Sequence, residues 1–270
     1  MLDKLAGAQA ARAKVVWGFV LGCYLLTMLV LLPWQPGMPA ATIDASWQDA
    51  LNVAVGNHMR FGKDVLLEFG PLGSALTHQY SPATDTLMLL ASWLLMSAVF
   101  LGFVLLAMPG RSTWLLVLVP LVLGQVTGRE ALFAVLPLML LLAAEKQVWP
   151  AWHRPALFFL GAAFATLPLV KAGLLVPVAV CTLLAVLAVA ERSPRDALAL
   201  VVVELLALPA AWIAAGQDLP DLPLFFLAQW PLLAGHAEAM ASGGPLEDIA
   251  VYLAAALLLL FAARSSASHP

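Results

Sequence analysis

The chain has 270 residues, of which 63% are hydrophobic and 11% charged, and its mean hydropathy is +0.94. A soluble domain carries roughly 25% charged residues, so most of this chain belongs in lipid. The net charge of −3 offers no basic surface, which argues against nucleic acid as a partner. The two cysteines, Cys23 and Cys181, both fall inside apolar runs. They read as packing residues and imply neither a disulfide framework nor a metal site.

A helix crossing the hydrocarbon needs about 20 apolar residues. The first run, from Val15 to Trp34, is long for a signal-peptide core and has no A-x-A-like cleavage site, so it reads as a retained helix. Val15–Pro33 and Thr86–Met108 qualify as spans. The stretch Arg111–Lys146 is broken at Gly124–Gly128 and reads as a hairpin of two short helices, Thr113–Val126 and Glu130–Ala144. A turn at membrane depth must then be covered by other helices or by water. Ala156–Val170 and Ala172–Ala190 form a second close pair, parted around Lys171. Asp196–Ala215 and Asp248–Ala263 complete an all-α polytopic bundle of about eight spans, a single transmembrane domain over 1–270.

Nine of the thirteen Lys and Arg residues share one side if the N terminus is cytoplasmic: Lys4, Arg12, Lys14, Arg111, Lys146, Arg154, Arg192, Arg195 and Arg264. Arg60, Lys63, Arg129 and Lys171 face out. A first outer loop then covers 34–85 and a second covers 216–247. Neither an internal repeat nor a low-complexity linker is present, and the lack of a repeat weighs against a transporter.

The first outer loop is polar and acidic. Ser46 to Asp49 match a capping box, followed by apolar residues at helical spacing, with Gly62 as a C-terminal stop. The pattern predicts an amphipathic helix over Ser46–Phe61, lying along the outer interface or docked on the bundle. That gives Asp49 a capping role and leaves Asp44 without one. Asp44 is either a solvated loop aspartate or, if partly buried, a general base. Asp64 and Glu68 flank a short apolar segment and read as solvated. The Gly-Pro-Leu-Gly at 70–73 is a rigid turn whose glycines are steric. Arg60, Lys63, Arg129 and Lys171 are the outward cations that a phosphate would need; Arg129 could instead pair with Glu130. The second loop holds Asp218, Asp221, His236, Glu238 and Glu247. It has no second His at ligand spacing, so a metal is not indicated.

Two segments of the first loop carry a resemblance: Ile-Asp-Ala-Ser-Trp-Gln-Asp-Ala-Leu at 43–51 and Phe-Gly-Lys-Asp-Val to Glu-Phe-Gly-Pro-Leu-Gly at 61–73. With Gly-His-Ala-Glu-Ala-Met at 235–240, they resemble bacterial multi-pass membrane proteins similar to the GT-C glycosyltransferase superfamily. His236 stands where those proteins usually carry Tyr, and Asp44 is single where some members have an Asp-Glu pair. The resemblance implies a GT-C-like bundle in the bacterial inner membrane and a polyprenyl-phosphate sugar donor. It makes Asp44 the catalytic base, with Lys171, Arg129, Arg60, Lys63, His236 and Glu238 around the substrate and no cofactor. The alternatives are a non-catalytic or truncated subunit of an envelope or polysaccharide system, or a transporter, at whose broken helices the short hairpins hint although no repeat appears.

Overall fold

The computed structural model describes residues 2–107, 118–126, 128–146, 149, 152–239 and 245–255; side chains are described from residue 14 onward, except those of 129, 233–234 and 236–239. Residues 1–230 form one compact unit and 231–270 a second. The fold is all-α. Its helices are α1 (Leu2–Leu31), α2 (Ile43–Gly56), α3 (Ser74–Thr77), α4 (Asp85–Ala107), α5 (Val119–Val126), α6 (Arg129–Glu145), α7 (His153–Ala165), α8 (Leu175–Ala190), α9 (Pro194–Ala214) and α10 (Leu222–Ala239).

Among the described residues, four segments are long and apolar enough to cross a membrane: Lys14–Leu31, Asp85–Ala107, Ala172–Ala190 and Pro194–Ala214. They mark a membrane protein. Their outward faces are mainly hydrocarbon, including Leu21, Leu25 and Leu29 on α1, Leu183 and Leu187 on α8, and Leu198, Leu205 and Leu206 on α9. The remaining expected crossings are shorter or lie partly outside the described residues. Of the first hairpin, 119–126 is helical and much of 113–118 is not described. α6 has 17 residues with Pro137 inside it, and α7 has 13. Of the last expected span, only 248–255 is described, and it is helical.

α6 and α7 are short because protein, not lipid, surrounds much of them. Phe133, Leu136, Leu140 and Ala143 on α6, and Leu157, Leu160 and Phe164 on α7, are fully enclosed and belong to the main core. α9 starts with a clear signal: Ser193 caps it by accepting from the Asp196 amide at 3.3 Å, and Pro194 takes the first turn, where its missing N–H costs nothing.

Two ends of the first unit are distinct. At one end, cations close helix C-termini, where the carbonyls lack partners and the dipole is negative. Lys146 Nζ donates to the carbonyls of Leu105 and Leu106, and Arg192 donates to those of Ala144 and Glu145. Arg154 pairs with Asp196 there at 2.9 Å. The opposite end carries the loop 32–84, the break between α7 and α8, and the turn after α9. Among the described residues, Lys146, Arg154 and Arg192 lie at the first of these ends and Arg60, Lys63 and Lys171 at the second.

Several expected details change. α2 begins at Ile43, not Ser46, and ends at Gly56. Its N-cap is Thr42, whose side chain accepts from the Ala45 amide, while Ser46 Oγ donates back to the Thr42 carbonyl. The Ser46–Asp49 capping box is therefore not used: Thr42 offers the same hydroxyl one turn earlier, in extended backbone suited to a cap. Asp49 sits mid-helix and exposed. His58, in the left-handed region at φ 53, reverses the chain before Gly62 is reached. Asn52 is buried; it donates to the Gln79 carbonyl and accepts from Thr84 Oγ1. So α2 docks on the bundle through Leu51, Ala54 and Val55 while Ile43, Val53 and its acids stay exposed. The expected second loop 216–247 is largely the helix α10, in which Pro223 falls in the first turn and Pro231 is accommodated inside.

Gly70 tests the loop's seating. A Cβ there would overlap the carbonyl of Leu169. Gly70→Ala should destabilise the protein by about 1–3 kcal/mol, as for overpacking. Gly18, with open space around its Cβ position, should tolerate Ala. Thermal unfolding in detergent compares the two.

Candidate functional site

The break between α7 and α8 contains two 3₁₀ turns, Leu167–Leu169 and Ala172–Leu174, with Lys171 extended between them. Its backbone is completed by the first loop. The Leu72 amide donates to Leu169 at 2.9 Å, the Gly70 amide to Val170 at 3.3 Å, and the Ala172 amide to Glu68 at 2.9 Å. This pairing sets Phe69 against Lys171 as an isolated antiparallel bridge and explains why Gly70 must lack a side chain.

The pairing places Lys171 among acids. Its Nζ donates to Glu130 Oε1 at 2.5 Å and lies 3.4 Å from Glu68 Oε1. It also sits 5.5 Å from the centre of the Phe69 ring, within cation–π range. Burial works against the ammonium, but its hydrogen bond to Glu130 and the charges of Glu68 and Glu130 outweigh it and hold Lys171 above the usual lysine value. Phe69 stacks on Trp47 with ring centres 4.6 Å apart. The Trp47 indole N–H donates to Asp44 Oδ1 at 3.4 Å. Asp44, Trp47, Phe69, Lys171, Glu68 and Glu130 thus form one continuous surface platform.

Asp44 is exposed and lies in the first turn of α2, where a carboxylate complements the helix dipole. It therefore has a helix role, which the sequence reading reserved for Asp49.

The other outward cations divide. Arg60 forms a bidentate pair with Asp221, donating from Nε to Oδ2 at 2.5 Å and from Nη2 to Oδ1 at 2.7 Å. That hydrogen bonding holds the Asp221 carboxyl below the usual carboxylate range against its burial, with Lys63 adding to the effect. Lys63 is exposed. Asp64 Oδ2 accepts from the Arg60 amide. The Arg129 side chain falls outside the described residues, and the partner shown for Glu130 is Lys171. His236 and Glu238 lie on α10, with side chains also outside the described set.

Amides fasten the platform from the other side. Gln217 accepts from the Phe61 amide at 3.0 Å and donates to the Met59 carbonyl at 3.1 Å; Gln229 donates to the Leu67 carbonyl at 2.7 Å. Comparison with protein-family models, curated proteins and solved structures finds no match to this chain. The site is therefore read from its own geometry. Among the described residues, no group of three or more His, Cys, Asp or Glu could hold a metal ion.

An apolar cavity of about 220 Å³ lies between α4 and α9, lined by Leu72, Leu87, Leu90, Leu94, Thr166 and Ala211 among others, none of them a platform residue. Leu72 joins the two features, since its amide is bonded to Leu169. Sequence reasoning missed Trp47 and Phe69 as platform elements, because their pairing depends on the α7–α8 break. It also passed over Glu204, an acid in the middle of an apolar run, which the rarity of ionisable groups inside spans would have flagged.

The Arg60–Asp221 pair has a pH signature. An unfolded aspartate titrates at about 4. A folded value below that makes the contribution complete above pH ~4 and lost as pH falls through the lower folded value. Asp221→Asn should lower thermal stability at neutral pH, and its deficit against wild type should close in acid. A gap that ignores pH would assign the stabilisation elsewhere.

Proposed function

We propose that the chain is a membrane glycosyltransferase of GT-C type, moving a sugar from a polyprenyl-phosphate donor to an acceptor at the outer face. The observation that carries this reading is a platform bearing a carboxylate and a lysine at the same end of the bundle as the apolar cavity between α4 and α9. A lipid-linked donor needs an apolar slot for its chain and a cation for its phosphate, and small-molecule sites combine these elements in this way. In this reading the N terminus is cytoplasmic, the platform faces out, about eight helices cross, and the membrane is the bacterial inner membrane.

The roles follow the geometry. Lys171 holds the donor phosphate by exchanging Glu130, whose side chain is 58% exposed, for a phosphate oxygen. Arg129 and Lys63 are the further cations assigned to the substrate in this reading. Arg60, committed to Asp221, positions the loop instead of binding substrate. Asp44 accepts the proton of the acceptor hydroxyl, directly or through one water. His236 and Glu238 remain substrate contacts implied by the resemblance.

The exposure of Asp44 favours a second reading. A carboxylate in water lacks the desolvation that strengthens a base, as in a non-catalytic membrane subunit of an envelope or polysaccharide system. Reconstituted full-length protein offered polyprenyl-phosphate sugars separates the two. Asp44→Asn should cut transfer by roughly 10²-fold, the usual worth of acid–base catalysis, and Lys171→Ala should weaken donor binding. Wild-type rates in Asp44→Asn, or no transfer by the wild type, would leave the subunit. For orientation, a reporter fused at Gln79 should report outside and one at Arg192 inside; the reverse would overturn the proposed topology.

A further inference from the structure

Glu204 is the eleventh of the 21 residues of α9, about 15 Å from either end at 1.5 Å per residue. Only 8% of it is exposed. α7 and α8 enclose it. Thr182 Oγ1 donates to Oε2 at 2.9 Å, and Gly161 approaches so closely that a Cβ there would lie 3.1 Å from Oε1. Oε1 is itself buried and, among the described residues, has no hydrogen-bond partner. The carboxyl therefore sits at the centre of an apolar span with one of its two oxygens unsatisfied.

The charged groups on the neighbouring elements are turned to other partners or lie at the ends. On α7, His153 Nε2 meets the Ala143 carbonyl and Arg154 pairs with Asp196. On α8, Cys181 is a thiol beside Thr182, and Arg192, just after the helix beside Glu191, donates to the α6 carbonyls. In the turn after α9, Asp221 holds Arg60 while Asp218 gives its carbonyl to Trp212. Asp196, on α9 itself, is eight residues away, about 12 Å along the helix.

An ionised carboxylate here would be a membrane-interior charge with one neutral hydrogen bond, which is costly. The neutral acid needs no counter-charge. Its Oε2–H can donate to Thr182 Oγ1 across the same 2.9 Å, leaving only a carbonyl oxygen unsatisfied. The missing Cβ at Gly161 makes the room in which Oε1 packs against α7. We propose that Glu204 is a proton-binding site inside the bundle, held as the neutral acid by α7, α8 and α9. Release of the proton to water leaves the carboxylate without a counter-charge and loosens the three-helix contact. The inference rests on the packing of the spans and is independent of the transferase reading.

Infrared spectroscopy of the full-length protein in lipid vesicles tests it. At neutral pH the wild-type-minus-E204Q spectrum should contain the C=O stretch of a protonated carboxyl. Thr182→Val should shift that band by removing its hydrogen bond, which assigns the band even if E204Q folds poorly. Carboxylate stretches in place of the C=O band, or a band unmoved by Thr182→Val, would overturn the proposal.

Discussion

The structure depends on completing the backbone where α7 and α8 part. Over 166–174 the helical ladder stops and starts again, inside a bundle where water is scarce and an unpaired amide or carbonyl is expensive. The segment Glu68–Leu72 supplies the missing partners. That requirement fixes the position of the first loop. It dictates a glycine at 70, sets Phe69 beside Lys171, and brings Trp47 and Asp44 to the same surface. The loop is fastened in turn from behind by Gln217, Gln229 and the Arg60–Asp221 pair. One local defect in a helix pair thus organises nearly everything at that end of the molecule.

Charge follows the same economy. Lys146 and Arg192 close helix ends, Arg154 meets Asp196, and Arg60 meets Asp221. Lys171 is shared by two carboxylates that differ in exposure, 31% for Glu68 and 58% for Glu130. The more exposed Glu130 regains solvent readily, because it is already largely hydrated. An anion arriving at the platform would therefore compete with Glu130 first, while Glu68, fixed by its backbone bond to Ala172, would stay.

The sequence made the apolar spans, the break at Lys171 and the steric glycines of 70–73 legible, because each is a local pattern with a local cause. The start of α2 was not legible. Thr42 and Ser46 are both competent caps, and the choice between them depends on how the helix docks through Asn52 and Leu51. The partner of Arg60 was hidden as well, since 161 residues separate it from Asp221. α10 was concealed by its prolines, which mark a loop on composition yet fit a helix when the first falls in the opening turn.

The cavity has a simple geometric origin. α7 and α9 begin at a common level, tied by Arg154 and Asp196. α7 has 13 residues and α9 has 21, so at 1.5 Å per residue α7 stops about 12 Å short. Thr166, just past the end of α7, lines the cavity, and Ala211 and Ala214 of the overhanging α9 form part of its wall. The loop residue Leu72 descends to meet the shortened helix and lines the remaining gap. A short interior helix, its broken backbone, the loop that repairs it and the apolar hollow beside it are therefore consequences of one mismatch in length.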